Sequence, residues 1–490
     1  MNTLSWNALY PRIVKIAWGL LFITLPVTSF PFFPAGMGGK TLVRPLSIYP
    51  LIILVILITI PRLLKRPLPG TFLPIFAFIV VAMISSIAAF SSDLEVFRGV
   101  TMASRFVRNV VTLGLGLAFY LTVALLPETW EDLRFSLRWL YAGFVLALLW
   151  GTIQIPYVIH YSPTYFNWIN RLQGFISTRK LFTTRISGLT YEPKWFAEQI
   201  CLLLIPWLLG AILSRRSIFA WRYKWITVEW ILLLWSVVVL VFTYSRTGLF
   251  LLAILVLLGY FLFRFYTQEK LVKKKKPPKS ITRRILEILA VFVGLVVVLV
   301  VIGAQNPYFS RLWRYWTEAK TRNRSYLEYI AFEQRFVYWQ TAFRTYEANP
   351  LIGVGLGNYA FYFDEMLPNQ PWFLQKEIIR QITPAEGRDR LITPKNLYAR
   401  LLAETGLLGT VTFTTFVFAI FGCILLLLFS QFPDQRYWGM SAALAMVVFV
   451  ITVFSFDSFA LPNMWIFFGL TTAAAHLADP VSIPVEISSE

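Results

Sequence analysis

Apolar residues in this chain come in long unbroken runs rather than at amphipathic spacing, and most runs approach the ~20 residues a helix needs to cross a bilayer. Runs near 13–32, 47–61, 70–90, 107–126, 137–159, 195–214, 226–242, 247–266, 286–304, 407–430, 438–456 and 461–478 predict twelve spans. The first follows Arg12 and Lys15 as a signal peptide would, but it is long, holds bulky residues and is followed by many more spans, so it is kept as one. Lys and Arg gather in every second loop: Arg62, Lys65 and Arg66, then Arg215, Arg216, Arg222 and Lys224, then Lys270, Lys273, Lys274, Lys275, Lys276, Lys279, Arg283 and Arg284. Basic loops resist translocation, which predicts that these loops and both termini are cytoplasmic. The expected organisation is nine spans in 1–304, a large periplasmic loop at 305–395, three spans in 396–480 and a cytoplasmic tail at 481–490. The segments 91–106 and 160–194 are expected on the periplasmic side too. In the large loop, Trp313, Trp316, Trp339 and Trp372 are mixed with many Arg, and the spacing of Phe336, Trp339 and Phe343 predicts amphipathic helices lying on the membrane.

Composition agrees with this threading. The 490 residues are 57% hydrophobic and 14% charged, which excludes a water-soluble enzyme and a disordered chain. A formal net charge of +20 in such a chain points to loops facing anionic lipid, not to nucleic acid. Cys201 and Cys423 both lie in apolar runs, which leaves neither a disulfide framework nor a zinc site to expect.

A transporter would place ionisable groups near the middle of its spans. Here Glu198, Glu229 and Asp457 lie near span ends, and the polar residues that need explaining gather at the outer surface. Arg246 sits in T-Y-S-R-T-G between two spans, and Arg185 in T-R-I-S-G-L-T-Y-E-P-K-W-F-A-E ahead of another. A guanidinium presents a fork of donors that fits two phosphate oxygens, so two of them on one diphosphate would be a strong site; an interfacial anchor is the plainer reading of each alone. In R-F-V-Y-W-Q-T-A-F-R-T-Y-E-A-N-P-L-I-G-V-G-L-G-N-Y, Gly353, Gly355 and Gly357 read as turn glycines, since no strand and helix frame them as a nucleotide loop. In T-P-K-N-L-Y-A-R-L-L-A-E-T-G-L-L-G, Asn396 is expected to cap a short helix that Gly406 ends, which puts Lys395 at a helix N-terminus. Arg400 and Glu404, four apart, are expected to pair.

Taken in chain order, with the Arg185 motif first, these four motifs resemble the O-antigen ligase and O-antigen polymerase superfamily over roughly residues 180–470. The resemblance implies an all-α, GT-C-like polytopic fold in the bacterial inner membrane and metal-independent, inverting transfer with no cofactor. It implies an undecaprenyl-diphosphate-linked glycan as donor, a glycan or glycolipid as acceptor and membrane lipid as surroundings. Catalytic roles fall on Arg185, Arg246 and Lys395, and substrate binding on Arg335, Trp339, Gly355, Asn396, Tyr398 and Glu404. Ligases of the family usually carry a histidine where this chain has Lys395, and a protonated lysine cannot act as a base although it can neutralise a leaving diphosphate. That tilts the reading from ligation onto lipid A-core toward polymerisation of repeat units. His160, at the end of a span, and the carboxylates Asp93 and Glu95 are the alternatives for a base. A transporter or transport accessory, or an inactive scaffold of a polysaccharide export complex, are the competing functions.

Overall fold

The computed structural model describes residues 6–33, 41–65, 67–92, 94–224, 226–273, 306–317, 325–330, 332–368, 376–383 and 391–479, with isolated positions between 293 and 304. The expected ninth span, the lysine run beyond Lys273, Asp93, Trp372 and the tail after Asp479 lie outside the described residues.

The chain is an all-α polytopic membrane protein. Lipid offers no partner for backbone N–H and C=O groups, so runs of Leu, Ile, Val and Phe satisfy them internally as helices. Helices of the first half are α1 (Trp6–Ile23), α2 (Ile48–Lys65), α3 (Phe72–Ala88), α4 (Met102–Leu125), α5 (Trp130–Ile159), α6 (Pro163–Gln173), α7 (Pro193–Ser214), α8 (Val228–Phe242) and α9 (Arg246–Lys273). The loop region holds α10 (Pro307–Thr317), α11 (Tyr326–Tyr329), α12 (Glu333–Ala348), α13 (Tyr359–Tyr362) and α14 (Lys376–Ile382). The chain closes with α15 (Leu397–Leu428), α16 (Pro433–Thr452) and α17 (Pro462–Ala478). A hairpin of Arg222–Tyr223 and Ile226–Thr227 is the only sheet among the described residues.

Among the described residues, seven helices are long and apolar enough to cross a membrane: α2, α3, α4, α5, α7, α9 and α15. Helices α1, α8, α16 and α17 coincide with four further expected spans but are shorter or less apolar. The first expected span needs correction, because α1 stops at Ile23 instead of running to residue 32. Pro26 and Pro31 lack the N–H that would carry a helix on, and the strip at Ser29 instead bridges to Arg44.

The centre of the bundle is α17, buried from Pro462 to Ala475 and packed along α4, with α7 almost as enclosed against α16. Among the described residues, basic side chains of two of the basic loops lie beside the acidic groups around the start of α5. There Arg62 pairs with Glu128 at 2.5 Å, and Arg134 and Arg216 reach Asp434 at 3.3 Å and 3.6 Å. The loop region lies at the opposite ends of the helices and has its own small core of Val337, Tyr338, Ala342, Tyr359, Phe363 and Ile378, completed by Ala403 of α15.

Two motifs far apart in sequence fasten this region to the bundle. Val354 N and Gly355 N donate to the carbonyls of Ala403 and Glu404 at 3.0 Å and 2.8 Å, while Leu407 N and Leu408 N donate to those of Pro350 and Leu351 at 2.8 Å and 3.1 Å. So close an approach needs glycine on both sides. A Cβ on Gly353 would lie 2.6 Å from the Glu404 carbonyl carbon, and one on Gly406 would lie 2.4 Å from the Leu351 oxygen. Both take positive φ, 68° and 62°, as the turn reading of Gly353 requires. Gly406 therefore kinks α15 rather than ending it, since the helix resumes and runs to Leu428.

Candidate functional site

The predicted arginines are brought together. A turn at Thr243–Ser245, with Tyr244 at φ 45°, separates α8 from α9, and Ser245 Oγ accepts from Gly248 N at 3.2 Å as an N-cap does. Arg246 thus opens α9 at the membrane edge. The R-I-S-G stretch is tied beside it by Ile186 N donating to the Phe242 carbonyl at 3.2 Å and by Gln154 Oε1 accepting from Ser187 N and Gly188 N at 2.9 Å and 3.0 Å. Asn306 completes the arrangement, donating to the Thr184 carbonyl at 2.8 Å and capping the start of α10. Tyr308 in that first turn lies under both guanidiniums, 4.2 Å from Arg185 and 5.3 Å from Arg246.

Around them runs a ladder of alternating cations and rings. Arg185 also lies 4.6 Å from Phe182, and Arg179 stands 4.4 Å from Phe182 and 4.8 Å from Tyr191 while paired with Glu192 at 2.5 Å. Burial pulls the Arg185 guanidinium below its ordinary pKa, with Tyr308 and Glu192 acting in the other direction. Guanidiniums held over rings keep their in-plane N–H groups free for an anion at the edge.

Lys395 lies in a second cluster. Its backbone takes the left-handed conformation at φ 54°, a cost of roughly 1–2 kcal/mol for a non-glycine residue, and its N–H donates to Asp457 Oδ2 at 2.7 Å. The ammonium donates to Glu377 Oε1 at 3.1 Å and lies 4.4 Å from the ring of Tyr338, whose hydroxyl donates to the same oxygen at 2.8 Å. Burial pushes the Glu377 carboxyl up, but Lys395, the Tyr338 hydroxyl and Arg335 outweigh it and hold the group below the usual carboxylate range. Asn396 caps α15 as expected, its Oδ1 accepting from Tyr398 N and Ala399 N at 2.9 Å and 3.2 Å.

Arg335 connects the two clusters. Arg246 donates to the carbonyl of Ile330 at 3.3 Å, and Arg335 follows on α12, where its charge acts on both Glu377 and Glu198. Glu198 is buried in α7, with Lys194 Nζ 3.4 Å away. Among the buried donors that meet no acceptor in the described residues, Arg246 Nε, Arg335 Nη1 and Trp339 Nε1 belong to this part of the molecule. Trp339 also lines a groove of about 890 Å³ between α12 and the start of α15, with Leu327, Phe336, Phe343, Asn396 and Ala399.

The other predicted binding residues are placed elsewhere. Glu404 is buried and pairs with Arg400 at 2.8 Å, as the spacing suggested, and Arg400 goes on to the Asp457 carbonyl at 2.6 Å. Gly355 belongs to the fastening turn, beside Ser86 and Ala89. Tyr398 turns toward α16, donating to the Val450 carbonyl at 3.1 Å. Glu95 is exposed. Sequence reasoning passed over Tyr308, Tyr338 and Glu377. The Asn306–Pro307 helix start was the available signal for Tyr308; nothing local marks the other two.

Residues 231–414 match the family described as O-antigen ligase, in agreement with the resemblance to the O-antigen ligase and polymerase superfamily. The match takes in Arg246, Arg335, Trp339, Lys395 and Asn396 and leaves out Arg185, so it is narrower than the resemblance over roughly 180–470. No curated protein matches the chain.

Proposed function

We propose that the protein transfers a glycan from an undecaprenyl-diphosphate-linked donor to a sugar hydroxyl at the periplasmic face of the bacterial inner membrane. The reaction extends or attaches a polysaccharide, with polymerisation favoured. One observation carries this reading: Arg185 and Arg246 share the ring of Tyr308, with the unmet donors of Arg246, Arg335 and Trp339 as further anion contacts. Buried N–H groups without acceptors call for a ligand rich in acceptor oxygens, and a diphosphate is one. Transfer asks above all for stabilisation of the departing diphosphate, and preorganised guanidinium charge supplies it without a metal ion. Attack opposite the leaving group inverts the anomeric centre. The basic loops and both termini are assigned to the cytoplasm and the 305–395 loop to the periplasm, where lipid-linked donor and acceptor meet. The test is deletion followed by glycan analysis. Loss of polymer length with single units intact identifies a polymerase, and polymer accumulating on its lipid carrier identifies a ligase; unchanged glycans overturn the reading.

A further inference from the structure

We infer that Glu377 is the proton acceptor for the sugar hydroxyl that attacks the donor. The inference rests on the glycan-transfer reading above, and it answers a chemical gap, since position 395 carries an ammonium instead of an imidazole. Glu377 stands 3.1 Å from that ammonium and 2.8 Å from the Tyr338 hydroxyl, so it occupies the neighbourhood in which a base at position 395 would act. Its side chain is 38% exposed while Tyr338 behind it is 1% exposed, so the carboxylate is fixed from behind and open in front. The charged and titratable groups facing it are Lys395 from the start of α15 and Tyr338 and Arg335 from α12. Arg335 also belongs to the set of donors proposed for the diphosphate, and its charge reaches Glu377 as well.

The step balances without a further reactant. The acceptor oxygen bonds to the anomeric carbon as its proton passes to a Glu377 oxygen. The bond from that carbon to the diphosphate breaks, and its electron pair leaves on the polyprenyl diphosphate opposite Arg185 and Arg246. Glu377 then returns the proton to water. Lys395 is a positioning residue in this scheme. By holding the carboxylate charged it keeps the base deprotonated well into acidic solution, and an arriving diphosphate that draws the ammonium away would raise the basicity of Glu377 at the moment of use.

The experiment uses the full-length protein in detergent, with lipid-linked glycan extracted from the deletion strain as donor and geranylgeranyl diphosphate as a binding probe. Glu377→Gln should cut the transfer rate by on the order of a hundredfold or more while binding the probe within about twofold of wild type. Lys395→Gln should move the acidic limb of the pH–rate profile to higher pH, because the largest influence lowering the Glu377 carboxyl is gone. A Glu377→Gln variant that keeps half the wild-type rate, or one that loses the probe along with activity, overturns the inference. If Glu377→Gln does not insert, Glu377→Asp decides. A slower rate with the acidic limb moved along the pH axis supports the base, and a defect equal at every pH overturns it. Failure of the glycan-transfer reading looks different: the wild-type protein itself then transfers nothing and Arg185→Ala binds the probe normally.

Discussion

At the scale of single residues, three arginines and three rings alternate at the outer edge of α8 and α9, and Tyr308 is the rung that joins the two arginines marked by the sequence. Arg185→Ala and Arg246→Ala should each abolish transfer while the protein still inserts, and Arg→Lys should be poorly tolerated because a point charge replaces a planar fork. Full complementation of a deletion strain by both alanine variants would remove the diphosphate clamp. Tyr308→Phe should keep most of the activity. Tyr308→Ala gives up two cation–ring contacts of roughly 1 kcal/mol each and should lose tenfold or more, read as transfer rate at saturating donor. Lys395→Arg should retain much of the rate, while Lys395→Gln should lose on the order of a hundredfold, the usual result of removing one preorganised charge. An arginine variant dead at every pH would show that position 395 works instead as a general base, which a guanidinium cannot be. The arginines were legible in the sequence because a lone cation in a short turn between apolar runs stands out. Glu377 was not, since it lies 18 residues from Lys395 and meets that ammonium and the Tyr338 hydroxyl only in the folded chain.

At the scale of elements, the first turns of α15 carry two separable devices. Asn396→Ala removes the side chain that holds Tyr398 N and Ala399 N and should cost about 1 kcal/mol, seen as a lower melting temperature in detergent. The pair of Arg400 and Glu404 is buried, with side chains 6% and 1% exposed, so Glu404→Ala strands a guanidinium and should cost about 3–5 kcal/mol. If Glu404→Ala instead leaves the melting temperature unchanged and removes only transfer, the residue belongs with the substrate, as the sequence suggested. Helix capping, the pairing of Arg400 with Glu404 and the turn character of Gly353 were all readable beforehand, because each depends on neighbours within a few residues. That Gly406 kinks α15 without ending it was not readable. The reason lies some fifty residues back, in the Leu351 carbonyl pressed against it.

At the scale of the whole molecule, the spans were the most legible feature, since bilayer thickness imposes run length on sequence directly. The end of α1 was misjudged because the prolines after Ile23 sit among residues as apolar as those before them. Threading gives a prediction for the intact protein. With Cys201→Ala and Cys423→Ala as background, a membrane-impermeant thiol reagent applied from outside should label Ser325→Cys and leave Ser280→Cys untouched, and the reverse pattern would invert the placement of both loops. Activity of the purified protein should also survive a chelator; dependence on magnesium or manganese would direct attention to Asp93 and Glu95. The backbone clasp between residues 350–355 and 403–408 has a further consequence, for how such proteins can be recombined. It is written in main-chain hydrogen bonds and two missing β-carbons, so either half can meet a foreign partner only if that partner brings its own glycine to the same spot. A chimera that exchanges the loop but cuts before Gly406 risks joining mismatched halves, whereas one that moves 350–408 as a single cassette carries the joint with it.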